Sequence, residues 1–207
     1  MIRSYMKLTL RNLRKHRGYS FINISGLAIG MACCILILLF VADELSYDNY
    51  HENADRIYRV SAISSIGTTT RRYATVPPAL APELVTSIPE VESAVRIFDS
   101  FELQGRLDDQ NIRIPEVFIM DPTFFDIFTH EFVAGDRDKV FANPDSLVIT
   151  QATAQRLFGE ADPIGEVITL APDRSIQINA VIQNVPKNSH FLFNGIIPTT
   201  FMRDQEG

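Results

Sequence analysis

The side chains that most often carry chemistry in proteins are few in this chain and far apart along it. The four histidines are His16, His51, His130 and His190. No two of them stand four positions apart, so the HExxH pattern of a zinc-binding helix is absent. The two cysteines, Cys33 and Cys34, are adjacent within an apolar run, which excludes a disulfide framework and a cysteine-based zinc cluster.

Motifs for nucleophilic and nucleotide chemistry are also absent. The sequence contains no G-x-S-x-G elbow, no Walker A loop and no G-x-G-x-x-G turn. The carboxylate pairs Asp108–Asp109 and Glu160–Asp162 stand in polar, turn-like contexts that indicate solvated loops. A dispersed Ser/His/Asp triad stays open on sequence alone, but we expect no histidine or carboxylate cluster to converge in one pocket of the folded domain. The sequence therefore predicts no catalytic, cofactor-binding or metal residues, no cofactor, and a protein that is not an enzyme.

One short basic cluster has two interpretations. Arg71, Arg72 and Tyr73 are consecutive and could contact an anion, or they could belong to an ordinary exposed strand pair. The second interpretation is favoured because such clusters are common on solvated strands.

Composition and charge exclude several classes of protein. The chain has 207 residues, of which 46% are apolar and 21% charged, so it is neither disordered nor of low complexity. Residues 1–42 hold six basic and no acidic side chains, whereas residues 43–207 hold 13 basic and 25 acidic ones. An acidic body argues against nucleic acid as a partner, because phosphate binding needs a basic face.

Residues 21–42 form a run of 22 residues without a charge. A helix of that length spans about 33 Å, enough to cross a hydrocarbon core of about 30 Å. Six basic residues precede the run and only Arg56 stands in the fifteen residues after it, which predicts a cytoplasmic N-terminus and an acidic body outside. A buried soluble helix is the alternative. A cleaved signal peptide is rejected because the run is too long and no small-x-small cleavage site follows it. Lipid modification at Cys33 is rejected because the strongest apolar stretch lies after that cysteine.

Two further features border this span or lie within it. Before the span, apolar residues follow approximate helical spacing with basic residues between them: Ile2, Tyr5, Met6, Leu10 and Leu13. This pattern fits a basic amphipathic helix on the cytoplasmic leaflet, and a simple basic flank is the equal alternative. Within the span, Gly26, Gly30 and Cys34 repeat at intervals of four. Small residues on one face favour close packing against another membrane helix.

The body combines helical and strand patterns. Strands are predicted at residues 57–65, 94–98, 112–120, 147–150, 166–170 and 176–182, and helices at 77–88, 122–128 and 151–158. Asp121 is expected to cap the second helix, and Thr150 to cap the third, which ends at Gly159. The last two strands should form a hairpin around a turn of Pro172, Asp173 and Arg174. Residues 43–55 could continue the membrane helix as a short stalk.

Five blocks in this order resemble the MacB/FtsX-type ABC transporter permeases, with their first membrane helix and MacB-like periplasmic core domain. The blocks are NLRKHRGYSFINISGLAIGM, DELSYDNYHENADRIYRV, FFDIFTHEFVAGD, SLVITQATAQRLFGEADPIGEVITL and INAVIQNVPKNSHFLFN, the last of which looks like the family's closing hairpin. The fourth block contains four residues that we expect to be structural: Leu157, Phe158, Gly159 and Gly165.

The resemblance implies an α+β chain with one N-terminal transmembrane helix followed by a mixed α/β periplasmic domain. The expected division is a basic cytoplasmic segment (1–20), the membrane helix (21–42), a stalk (43–56), the periplasmic core domain (57–200) and a truncated end (201–207). The chain would be an N-terminal fragment of a permease in the bacterial inner membrane.

The implied role is that of a non-catalytic subunit that couples ATP hydrolysis by a cytoplasmic ABC ATPase to movement of the periplasmic domain, for export or mechanotransmission. Other expected partners are further permease helices, in a dimer, and a periplasmic or outer-membrane protein. The alternatives are a single-span anchored binding or sensor module and, further behind, an anchored periplasmic hydrolase.

Overall fold

The computed structural model describes residues 11, 14–108, 110–170 and 174–203. Its contacts divide the chain into two units, Met1–Tyr47 and Asp48–Gly207. The predicted amphipathic segment before the membrane span lies mostly outside the described residues, as do Pro172 and Asp173 of the predicted turn.

The first unit is dominated by helix α1 (Arg17–Glu44), which has 28 residues, none of them buried. With a mean hydropathy of 2.7, it is the one helix among the described residues that is long and apolar enough to cross a membrane. The Ser25 hydroxyl donates a 2.7 Å hydrogen bond to the Phe21 carbonyl oxygen, so this polar group is satisfied within the helix.

The predicted helical continuation through residues 43–55 is wrong. The helix ends at Glu44, and residues 45–50 form turns before a single 3-10 turn, Ala54–Arg56. Asp48 has a φ of 56°, a left-handed conformation that an α-helix cannot contain.

In the second unit, the chain first forms an antiparallel hairpin of β1 (Ala62–Ile66) and β2 (Thr69–Tyr73), which is a sheet of its own. The strand predicted over 57–65 therefore begins and ends later than expected. Arg71 and Arg72 lie on the exposed strand β2, as the favoured interpretation predicted. Helix α2 (Leu80–Ser87) follows, with Pro82 in its first turn, where no helical N–H partner is lost.

The remaining elements build one larger sheet with three short helices. The strands are β3 (Phe101–Leu107), β4 (Gln110–Met120), β5 (Phe132–Gly135), β6 (Ser146–Thr150), β7 (Val167–Leu170), β8 (Arg174–Ile182) and β9 (Gly195–Pro198). The helices are α3 (Phe124–Ile127), α4 (Gln151–Phe158) and α5 (Thr200–Arg203).

This sheet closes on itself. The strand order is β5-β8-β6-β9-β4-β3-β7, and β7 pairs with β8 as well as with β3, so six strands form a ring and β5 lies outside it. The close approach of β3 to β7 leaves no room for a side chain at Gly105. A Cβ at Gly105 would lie 2.5 Å from the Ile168 side chain and 2.9 Å from the Thr169 carbonyl oxygen.

Side chains alternate between two cores on opposite faces of the strands. In β6, Leu147 and Ile149 belong to the first core and Val148 to the second. In β8, Ile178 belongs to the first core and Ile182 to the second, because the register with β6 shifts between them. The second core also holds the phenylalanines of the α3 region, and this core positions the candidate site described below.

The C-terminal third follows the sequence-based expectations closely. The Thr150 side chain accepts the Thr153 N–H and caps α4, which ends at Gly159 with a φ of 63°. Gly165 also has a positive φ, 90°, while Leu157 and Phe158 pack against the first core. Strands β7 and β8 form the predicted antiparallel hairpin.

Three further expectations are wrong. Residues 94–98 make a single bridge, Ile97 to Met120, and no strand. The Asp121 side chain does not cap α3, because both its oxygens are bound by Arg96 and one also by the Thr199 hydroxyl. Residues 178–194 are not a hairpin, since β8 and β9 are separated by β6. Strands β3, β5 and β9 were not predicted.

Candidate functional site

Three segments that are distant in the sequence meet at one place in the second unit. They are residues 48–52, which follow the apolar helix along the chain, residues 124–130 around α3, and residues 188–193 before β9. We call the polar residues at their meeting point the junction cluster: Asp48, Tyr50, His51, Thr129, His130, Ser189 and His190. Each segment belongs to one of the five sequence blocks, but the sequence did not indicate that these blocks touch.

His51 is the central residue of the junction cluster. It is 5% exposed and its ring lies 4.0 Å from the Tyr50 ring and 5.1 Å from the Phe128 ring, centroid to centroid. Its Nδ1 accepts the backbone N–H of Thr129 at 3.1 Å. Burial lowers the pKa of His51, against the opposing effect of the Asp48 charge. The ring is thus neutral at pH 7, with its proton on Nε2, because Nδ1 is the acceptor.

The neighbouring residue strengthens this link. The backbone N–H of Glu52 donates to the Thr129 hydroxyl oxygen at 2.9 Å. Thr129 is therefore bound by two consecutive residues of the segment that follows the apolar helix, once through its backbone and once through its side chain.

His130 lies among aromatic rings. It stacks on Phe124 at 5.3 Å with an interplanar angle of 25°, and its edge contacts include Phe193 at 5.4 Å and His51 at 5.9 Å. Burial lowers the pKa of His130 to about 4, with a smaller contribution from His51. A charged imidazolium here would be poorly solvated, so the neutral form holds this cluster together.

Asp48 joins the same segment to the third one. Its backbone N–H donates to the Asn188 carbonyl oxygen at 2.9 Å, and its carboxylate accepts the His190 backbone N–H at 3.0 Å and faces His190 Nδ1 at 2.6 Å. Burial would raise the pKa of Asp48, but the hydrogen bonds and charge of His190 together lower it. The left-handed backbone of Asp48 is thus held from both its backbone and its side chain.

Tyr50 makes a parallel link to this loop. Its hydroxyl donates to Ser189 Oγ at 2.9 Å, and Ser189 Oγ also accepts the Phe191 N–H. Burial raises the pKa of Tyr50, so the phenol stays protonated and remains a donor.

The junction cluster brings His51 and His130 together, with ring centroids 5.9 Å apart. Within the described ranges, no three His, Cys, Asp or Glu side chains are placed to hold a metal ion. His51 Nδ1 is occupied by a backbone N–H, and Ser189 Oγ accepts rather than donates to a histidine. The hydrogen bonds of the junction cluster hold residues 48–52 against the rest of the domain.

Comparison with known proteins is consistent with the five sequence blocks. The family model of the MacB-like periplasmic core domain matches residues 20–207. None of the curated proteins that were compared with the chain matches it.

Solved structures give further matches. A domain of a protein assigned as a permease from Porphyromonas gingivalis is 26% identical with a TM-score of 0.59, over 69% of this chain and 61% of that one. The periplasmic region of MacB from Actinobacillus actinomycetemcomitans is 10% identical with a TM-score of 0.45, over 77% and 65% of the two chains. The extracellular domain of the transporter YknZ from Gram-positive bacteria is 14% identical with a TM-score of 0.40, over 54% and 58%.

The present chain spans 61% of the length of the first of these structures. The family match begins within the apolar helix and covers all of the mixed α/β domain. The predicted fold class is confirmed, as is the predicted resemblance. This chain belongs to the family of MacB-like periplasmic core domains.

Proposed function

We propose that this chain is part of the non-catalytic membrane subunit of an ABC transporter, and that it passes ATP-driven movement of membrane helices to a periplasmic domain, for export or mechanotransmission. Family membership and the apolar helix ahead of the domain support this role. The proposed division of the chain is the one expected from sequence: 1–20, 21–42, 43–56, 57–200 and 201–207.

The observation that carries the proposal is the attachment of residues 48–52 to the domain. A flexible linker after the membrane helix would absorb movement of that helix, because a random coil transmits little force. Here Asp48 and Tyr50 are bound to the loop at 188–190, while His51 and Glu52 are bound to Thr129. Two separate anchor points resist both translation and rotation of the segment against the domain.

The partners follow from this role. The chain supplies no Walker A loop, so a cytoplasmic ABC ATPase would deliver the energy. A Cβ at Gly26 or Gly30 would meet no described atom within 4 Å, which leaves this face of α1 open to a second membrane helix, including that of a second copy. A periplasmic or outer-membrane protein would receive the movement.

The orientation can be tested by cysteine labelling in intact cells. In a Cys33→Ser/Cys34→Ser background, the exposed positions Ser65 and Lys15 are changed to cysteine one at a time. A membrane-impermeant maleimide should label the Ser65→Cys protein and not the Lys15→Cys protein. Labelling at position 15 alone would reverse the proposed topology.

The coupling can be tested with the ATPase that copurifies with the chain from its native membrane. A fluorophore on Ser65→Cys should report an ATP-dependent change, which Tyr50→Phe/His51→Phe should reduce at least twofold while ATP hydrolysis continues. Tyr58→Phe/His16→Phe is the matched control, since neither residue belongs to the junction cluster. Absence of any copurifying ATPase, or an undiminished signal in the junction variant, would overturn the proposal.

A further inference from the structure

The β1–β2 hairpin differs in charge from the rest of the domain. Residues 57–82 contain Arg59, Arg71 and Arg72 and no acidic residue, whereas residues 83–207 contain nine basic and 20 acidic residues. All five residues of β2 are exposed. Among the described residues, no acidic side chain pairs with Arg71 or Arg72.

Two large apolar side chains are exposed beside these arginines, since Ile63 is 61% exposed and Tyr73 44%. Ile63 lies directly opposite Arg72 in the pairing register, and Tyr73 follows Arg72 in the strand. A charged edge that serves solubility alone would not need two exposed apolar side chains next to it.

The backbone of the hairpin is also incompletely paired. β1 and β2 form a two-stranded sheet, and within the described part of the chain neither strand has a second neighbour. An isolated two-stranded hairpin is marginally stable in water, and a third strand would satisfy the outward-facing N–H and C=O groups of an edge. Addition of an extended segment to such an edge is a recurrent way of binding peptides.

From these observations we infer that the outer edge of β2 binds an extended acidic segment of a partner protein by strand addition. Side chains alternate across a sheet, so Arg71 and Arg72 point to opposite faces. Two consecutive acidic residues in the added strand would each meet one arginine, and a flanking apolar residue would lie beside Tyr73.

The partner would be a protein outside the membrane with an acidic extended segment, and its existence rests on the proposed function. The binding test below involves neither the ATPase nor transport, so peptide binding and the proposed function can fail independently.

The test uses the full chain in a nanodisc of zwitterionic lipid and a fluorescent peptide, Thr-Val-Glu-Glu-Val-Thr, with anisotropy as the readout. Binding should weaken at least tenfold for Arg71→Ser/Arg72→Ser. It should persist for Arg113→Ser/Lys187→Ser, which removes the same charge from two exposed positions elsewhere. All four side chains are exposed, and a thermal unfolding curve for each variant establishes that the domain remains folded.

A charge exchange makes the assignment specific. Arg71→Glu/Arg72→Glu should prefer the peptide Thr-Val-Lys-Lys-Val-Thr over the acidic one, and N-methylation of the peptide backbone should abolish binding to the unaltered chain. Equal binding to both arginine-to-serine variants, or full binding of the N-methylated peptide, would overturn the inference. It would also fail if the acidic peptide did not bind and Arg71→Ser/Arg72→Ser instead removed binding to vesicles of anionic phospholipid, or removed self-association of the chain.

Discussion

Thr129 donates its backbone N–H to Nδ1 of His51 across 3.1 Å, although the two residues are 78 positions apart. The bond joins the start of the second unit to the turn after α3. It uses the one ring nitrogen of His51 that can accept, so protonation of that nitrogen or its removal must break the link.

His51→Phe should destabilise the domain by about 1–3 kcal/mol, because it keeps an aromatic ring but leaves the Thr129 N–H without its acceptor. The measurement is chemical unfolding of the full chain in detergent at pH 7. Tyr58→Phe, at an exposed position, should change the free energy of unfolding by less than about 0.5 kcal/mol. Equal stability of the His51→Phe protein and the unaltered chain would show that this hydrogen bond does not contribute.

The pKa of His130 predicts how stability depends on pH. Its folded-state pKa, about 4, lies below the ordinary value of 6.5, so the unfolded chain binds more protons between these values. Stability should therefore be complete above pH 6.5 and fall as the pH is lowered towards 4, by up to about 3 kcal/mol. The lowered pKa of His51 acts in the same direction.

His130→Phe isolates this effect, since the ring stacking on Phe124 can remain. Between pH 4 and 6.5 the variant should lose most of the slope of unfolding free energy against pH, whereas His16→Gln, in the other unit, should keep it. An unchanged slope in His130→Phe would assign the pH dependence to another group.

Asp121 and Arg96 form a second polar contact whose loss should be costly. The carboxylate accepts three hydrogen bonds from Arg96, including one from its backbone, and a fourth from the Thr199 hydroxyl at 2.6 Å. Burial would raise the pKa of Asp121, but these donors and the charge of Arg96 lower it. Asp121→Asn should cost about 2 kcal/mol at pH 7 because one partner of a largely buried pair is left uncompensated.

Asp126→Asn is the control for this change, since that carboxylate is 69% exposed and 3.9 Å from Arg137. The difference between the two variants should shrink as the pH falls below about 3.8, where the lowered pKa of Asp121 contributes progressively less. A constant difference down to pH 2 would contradict the assignment to the charged carboxylate.

Closure of the sheet can be tested at Gly105. Gly105→Ala should destabilise the domain by about 1–3 kcal/mol, because its Cβ would overlap Ile168 and the Thr169 carbonyl. Gly30→Ala, where nothing described lies within 4 Å, should leave the unfolding of the domain unchanged. If the Gly105→Ala protein unfolded like the unaltered chain, strands β3 and β7 could not be in such close contact.

Local signals predicted local structure well. Thr150 and Gly159 mark the ends of α4 because capping depends on residues within one turn, and the alternation of Ile176, Ile178 and Ala180 identifies β8. Strand β3 also alternates, with Phe101, Leu103 and Leu107 between more polar residues, so its position was within reach of the same signal. Strand β9 gave no such signal, since a four-residue strand with Gly195 and Pro198 at its ends contradicts strand propensity and depends on its neighbours.

Local sequence signals could not predict the contacts of the junction cluster. Nothing within a turn of His51 indicates Thr129 as its partner, and Asp121 looked like a helix cap because its real partners, Arg96 and Thr199, are far away in the sequence. The family resemblance marked the three segments separately, but their contact depends on the strand order of the closed sheet.

The hydrogen bond between Tyr50 and Ser189 joins residues 139 positions apart, so during synthesis it can form only well after Tyr50 has been made. At about 5–20 residues per second, Ser189 is made roughly 7–28 s after Tyr50. The apolar helix is complete before then, so it can enter the bilayer while the segment behind it is still unattached. The bonds that hold residues 48–50 to the loop at 188–190 can therefore form only after residues 51–187 have been synthesised.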